Sequence, residues 1–180
     1  LWLSAPERGR AVQMNYAAQF ASGDTLLFLH ADCLPPIHYC MRIRNALTHG
    51  FPAGSFRYRF DSDRLLLKWQ ARCIRLPFLF CRGGDQGLFV RKEAFDAAGG
   101  YKSHFVVMED YDLIRTLRKQ ARFALLPDEA IVSARKYRHN AWLKVQIANA
   151  LAMGMFLSGW FSPLRIRNTY FALLKHPKAE

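Results

Sequence analysis

The chain has 180 residues, of which 51% are hydrophobic and 22% charged. That excludes a disordered or fibrous protein, and it leaves room for one domain, two at most, with a core that needs no disulfide or metal. The charge is lopsided, with 26 Lys and Arg against 14 Asp and Glu, a net of +12. Such an excess suits an anionic partner: nucleic acid, an acidic membrane surface or a phosphorylated small molecule. The first residue is Leu1 rather than Met, so the chain reads as a processed or truncated piece of something longer. The opening Leu1-Trp2-Leu3 is too short for a signal-peptide core, and Glu7, Arg8 and Arg10 follow at once.

Residues 8–21 read as a helix, with Ala11, Met14, Ala18 and Ala21 at helical spacing. Ser22-Gly23-Asp24 stops it. Residues 25–29 form an all-apolar run, the pattern of a strand buried on both faces, ending in His30-Ala31-Asp32. Pro35-Pro36 then opens a helix to about His49. In residues 56–60, Phe56, Tyr58 and Phe60 alternate with Arg57 and Arg59, which predicts a strand.

Residues 61–76 read as an amphipathic helix. Leu65, Leu66, Trp69, Cys73 and Leu76 form its apolar stripe, and Arg64, Lys68, Arg72 and Arg75 a basic stripe opposite. Gly83-Gly84-Asp85-Gln86 is a turn, 87–90 a strand, and 92–98 a short helix closed by Gly99-Gly100. Met108-Glu109-Asp110 opens a helix with Arg115, Arg118 and Lys119 near its end, where cations suit the dipole. Residues 123–126 and 130–133 are two short strands, and everything from Trp142 is helical. Strands alternating with helices imply an α/β layer structure around a largely parallel sheet. A composition shift at 138–141 divides an α/β part, residues 1–140, from a C-terminal helical extension, residues 141–180.

The acids fall at the ends of elements, where open α/β sheets bind ligands. Asp32 lies just past a strand end, and a carboxylate there can hold a hard divalent cation against phosphate oxygens. His30 points to the same side if the chain stays extended. The plainer reading makes Asp32 a turn cap and His30 a satisfied imidazole. Glu109 and Asp110 at a helix start are either dipole-favoured caps or a general base. Gly83 and Gly84 would let a ligand approach the backbone, with Asp85 and Gln86 beside it, or else form an ordinary turn. Arg135-Lys136 and Arg8-Gly9-Arg10 are either anion sites or solvated loops. The basic stripe is a wet helix face or a surface for anionic lipid.

Cys33, Cys40, Cys73 and Cys81 form no C-x-x-C pair and are expected to be the reduced thiols of an intracellular chain. Residues 145–164 carry no charge, but Gln146, Asn149, Ser158, Gly159 and Pro163 interrupt them. Three readings stay open for this stretch: a buried or oligomer-facing helix, an interfacial membrane helix, and a span.

In order, these segments resemble family 2 glycosyltransferases of the GT-A fold, closest to a bacterial subgroup with a Leu-His-Ala-Asp motif. The resemblance rests on Arg8-Gly9-Arg10-Ala11-x-Gln13-Met14-Asn15 and Ala21-x-Gly23-Asp24-x-Leu26-Leu27-Phe28-Leu29-His30-Ala31-Asp32. It continues through Gly84-Asp85-Gln86-Gly87-x-Phe89-Val90-Arg91, Ala98-Gly99-Gly100-Tyr101, Met108-Glu109-Asp110 and Ser133-Ala134-Arg135-Lys136-Tyr137, and covers about residues 8–170.

The resemblance implies a GT-A-like, mostly parallel sheet flanked by helices. It also implies inverting transfer of a sugar from a nucleotide-diphosphate donor to an acceptor hydroxyl. It places the metal at Asp32 with His30 beside it, with Mn2+ plausible beside Mg2+ because His30 stands where a first carboxylate is usual. It makes Asp110 the catalytic base with Glu109 as its pair, and lines the sugar and acceptor side with Gly84, Asp85 and Gln86. Arg8, Arg10, Arg135 and Lys136 would face the nucleotide diphosphate. The family opens with a strand–helix–strand segment that this chain is expected to lack, Leu1-Trp2-Leu3 being the remnant of its last strand.

The partners expected are thus a nucleotide-sugar donor, an acceptor that a lipid could carry, and an anionic membrane surface, with a homo-oligomer open. The location expected is the cytoplasm, peripheral to the inner face of the membrane. Two other classes remain. A basic nucleic-acid-binding module lacks a helix-turn-helix, zinc knuckle or RNP-like motif, so no nucleic acid is expected. A non-catalytic, membrane-associated remnant of a transferase is the third.

Overall fold

The computed structural model describes residues 2–76, 78–81 and 86–175. The first half runs α1 (Arg10–Phe20), β1 (Thr25–Phe28), β2 (Cys33–Leu34), α2 (Tyr39–Thr48), β3 (Ala53–Phe60) and α3 (Leu65–Cys73). The second runs β4 (Leu88–Arg91), α4 (Lys92–Ala97), α5 (Glu109–Gln120), β5 (Phe123–Val132), α6 (Lys136–His139), α7 (Trp142–Ser158) and α8 (Pro163–Leu173).

The five strands make one sheet in the order β1-β4-β3-β5-β2. The sheet is flanked by helices, as the sequence predicts, but its pairing is mixed rather than mostly parallel. Only β3 and β5 run parallel; β1–β4, β3–β4 and β2–β5 are antiparallel. Strand direction depends on which way each connection returns, and hydrophobic periodicity carries no such information. β5 is also one strand rather than two. It runs through Pro127, and the ladder absorbs the irregularity as a register shift at Phe56/Arg57 of β3. β1 is only partly buried, Leu26 being its one buried residue.

Period-two alternation divides the core. Leu88 and Val90 of β4 face Ala11 and Ala18 of α1 and Leu113, Ile114 and Leu117 of α5. Phe89 faces the other way, with Phe56 and with Ile43 and Ala46 of α2. At the ends of β3 and β5, Phe60 and Val132 lead into a cluster with Leu67 of α3, Tyr137 of α6, and Val145 and Ala148 of α7. Residues 142–175 therefore pack directly on the α/β part.

Two helical expectations are corrected. The apolar stripe of α3 exists, but it points outward: Leu67 is the buried residue of this helix, while Leu65, Leu66 and Trp69 are exposed. Residues 145–164 are not one helix. Gly159 adopts φ 70° and ends α7, and the Ser162 side chain accepts from Arg165 N–H to cap α8, with Pro163 at its first turn. Among the described residues no helix is long and apolar enough to cross a membrane. None of the four cysteines is in a disulfide.

Candidate active site

A cavity of about 1040 Å³ opens where β1, β3, β5, α5, α6 and α7 converge. β1 delivers His30 and Asp32 to it, on the turn that follows the strand. α5 delivers Glu109 and Asp110 from its first turn. Met108 just before them adopts the left-handed region at φ 66°, the one non-glycine residue among those described to do so. A bulky side chain held there is strained, and such strain clusters at functional sites. It bends the chain sharply so that two acids enter at the helix N-terminus, where the dipole favours negative charge.

The acids are met by cations. Arg10 of α1 places Nη1 3.0 Å from Oε1 of Glu109 and Nη2 3.2 Å from Oδ2 of Asp110. The same Nη2 contacts Nε2 of His30, which lies 3.5 Å from the Asp110 carboxylate. Arg135 brings Nη2 to 3.8 Å from Oδ2 of Asp32, a carboxylate half open to solvent. Lys136 lines the same cavity and donates from Nζ to the Tyr170 hydroxyl at 2.9 Å.

Glu109 is 2% exposed, and its carboxylate is paired with the Arg10 guanidinium. Burial pushes its pKa above the usual glutamate range; Arg10 pulls it back and Asp110 pushes it further up. Tyr101 stands behind the pair. Burial raises its phenol well above the ordinary value, and the Asp110 and Glu109 charges add to that. The Tyr101 backbone is clamped by Asn15 of α1, whose Nδ2 donates to the Tyr101 carbonyl at 2.6 Å. Asn15 Oδ1 accepts from the Tyr101 N–H at 2.9 Å.

The structure thus brings together Arg10, His30, Asp32, Gln86, Glu109, Asp110, Arg135 and Lys136. Gln86 is buried and fixed, accepting from Ser55 Oγ at 3.0 Å and donating to the Cys81 carbonyl at 2.6 Å. Arg8 is not among the residues lining the cavity. Gly83, Gly84 and Asp85 lie outside the described residues.

Sequence reasoning missed a hydrogen-bonded part of the cavity wall, built by Gln70 of α3, Tyr137 of α6, and Trp142 and Gln146 of α7. Gln70 Oε1 accepts from Trp142 Nε1 at 2.9 Å and from Gln146 Nε2 at 3.1 Å, and Gln70 Nε2 donates to the Tyr137 hydroxyl at 3.0 Å. A glutamine on the margin of an apolar helix stripe was the one signal of this network.

Among the described residues, no group of three His, Cys, Asp or Glu is placed to hold a metal ion by protein ligands alone. Nε2 of His30 faces Arg10 and Asp110. The half-exposed carboxylate of Asp32 fits a different arrangement, in which one protein carboxylate shares a hard cation with phosphate oxygens and water.

No protein-family model matches the chain, and no curated protein does. Solved structures do match. One is the mannosyltransferase PcManGT from Pyrobaculum calidifontis in complex with GDP-Man and Mn2+, at 17% identity and a TM-score of 0.59. The match covers 93% of this chain and 50% of that one, so the chain spans half the length of this neighbour. The likeness is one of fold: the chain has the GT-A-like α/β architecture.

Proposed function

We propose that the chain is the catalytic part of a family 2-type glycosyltransferase, transferring a sugar from a nucleoside-diphosphate donor to an acceptor hydroxyl with inversion. The observation that carries this reading is the pairing inside one cavity of a strand-end carboxylate, Asp32, with a helix-start acid pair, Glu109 and Asp110, both faced by arginines. The fold shared with a GDP-Man-bound transferase supports it.

Asp110 accepts the proton of the acceptor hydroxyl. The new bond forms between that oxygen and the anomeric carbon as the bond from the same carbon to the diphosphate breaks on the opposite side. One displacement inverts the centre and requires no enzyme nucleophile. Arg135 and Lys136 take up the charge of the departing diphosphate. Glu109, buried at the same helix start, sets the charge of the pair to which Arg10 responds. Asp32 would hold a divalent cation, Mn2+ or Mg2+, which would supply Lewis acidity to the leaving group.

The experiment is release of nucleoside diphosphate from a panel of nucleotide sugars, with Mn2+ or Mg2+ present. Turnover that needs the metal and falls in Asp32→Ala supports the reading. Turnover that keeps its full rate in Asp32→Ala and Asp110→Asn refutes it.

A further inference from the structure

We propose that the outer face shared by α3 and α7 docks on an anionic lipid bilayer. This goes beyond the transfer reaction and does not depend on it. On α7, Leu143, Ile147 and Leu151 are 64%, 49% and 48% exposed and recur every four residues, which makes one continuous apolar stripe. On α3, Leu65 and Trp69 are 81% and 58% exposed. The Trp69 ring packs edge-on against Trp142, the residue before Leu143, with ring centroids 6.2 Å apart, so the α3 stripe meets α7 at the end where its stripe begins. Trp160, just past the end of α7, is 88% exposed. Contiguous apolar surface of this kind marks an interaction site.

Charge selects the occupant. No Asp or Glu occurs anywhere in residues 130–179. Arg72 and Arg75 beside the α3 stripe are exposed, as are Lys144 of α7 and Arg165 and Arg167 of α8. Exposed aliphatic residues on helices that also carry exposed cations, with an exposed tryptophan at one end, match the interfacial zone of a bilayer containing acidic lipid. A second copy of the chain would bring the same cations against each other, at a net of +12 per chain. No described helix is long and apolar enough to cross a bilayer, so the face lies on the surface with α7 in its plane.

The test is co-sedimentation with vesicles of phosphatidylcholine alone or with phosphatidylglycerol added. The protein should pellet with the acidic vesicles, and its affinity should fall roughly tenfold or more between low and high salt. Ile147→Glu with Leu151→Glu should abolish pelleting; both positions are exposed, and an unchanged circular-dichroism melt verifies the fold. Arg72→Glu with Arg75→Glu should weaken it separately. Tryptophan emission of the unmodified protein should be quenched by brominated acyl chains. Failure to bind acidic vesicles overturns the proposal, as does undiminished binding by the Ile147/Leu151 variant. So does a dimer in solution that this variant dissolves without any vesicle binding.

Discussion

Arg10 in the first turn of α1 and Asp110 in the first turn of α5 meet across the cavity at 3.2 Å, though 100 residues separate them. The guanidinium is half exposed while both acids it serves are buried, so it stands at the cavity mouth as their lid and counter-charge. On the proposed function, a diphosphate entering the cavity would meet this arginine together with Arg135 and Lys136, which line the same cavity. Arg10→Ala should raise the donor KM by roughly tenfold to a hundredfold, the value of one charge-assisted contact. Arg10→Lys should recover only part, because an ammonium cannot bridge Glu109, Asp110 and an anion in one plane. Initial rates across donor concentration check this.

Glu109 makes stability depend on pH. Its pKa is raised in the folded chain from an ordinary value of 4.5, mainly by burial, so the folded state binds this proton more tightly than the unfolded state. The protonated group favours folding below the ordinary value, and that contribution is lost as pH rises through the folded value. The melting temperature should therefore carry a component that declines from about pH 4.5 upward. Glu109→Gln, which does not titrate, should flatten that component, as thermal melts of both proteins across pH 5–8 would reveal.

The Asn15 clamp fixes the loop that leads to the acids. Asn15→Ala leaves the Tyr101 N–H and carbonyl without their partner and should cost about 1–3 kcal/mol. Gly100 approaches the same side chain: a Cβ there would stand 2.9 Å from Asn15 Oδ1, at φ 62°. Gly100→Ala should thus destabilise by a similar order, about 1–3 kcal/mol, through strain and a displaced amide. Urea unfolding of both variants measures the effect.

How much of this was legible depended on the range of the interactions. Helix α1, strand β1, the α4 stop at Gly99-Gly100 and the start of α5 at Glu109 were all readable, because each is set by local periodicity or by a cap. Strand direction was not, since β3 lies between β4 and β5 with opposite polarity and that order is decided by contacts distant in sequence. The α3 stripe was legible but its direction was not: periodicity reports that a helix is two-faced, not which face the core takes. Asp32 and the Glu109-Asp110 pair were visible as candidates because acids are scarce in this basic chain. That Arg10 and His30 converge on Asp110 was not visible, because the three lie on separate elements. The Gln70 network was missed for the same reason.

That network joins α3 to α6 and α7 along the cavity wall. Gln70→Leu keeps the volume but strips the acceptor from Trp142 Nε1 and Gln146 Nε2. Trp142 Nε1 is then left facing an apolar side chain while Gln146 Nε2 keeps the Tyr137 hydroxyl at 3.3 Å, so stability should fall by about 1–3 kcal/mol. A lowered melting temperature with altered tryptophan fluorescence would record it.

In the proposed reaction Asp110 removes the acceptor proton in a transfer supported by Asp32. Its most direct test is single-turnover transfer from the preferred nucleotide sugar by the unmodified protein and by Asp110→Asn, which keeps the shape and removes the base. The chemical step should fall by roughly 10²- to 10⁴-fold, with donor affinity nearly unchanged. A chemical step at the unmodified rate in Asp110→Asn, in a protein that still binds donor, would contradict it.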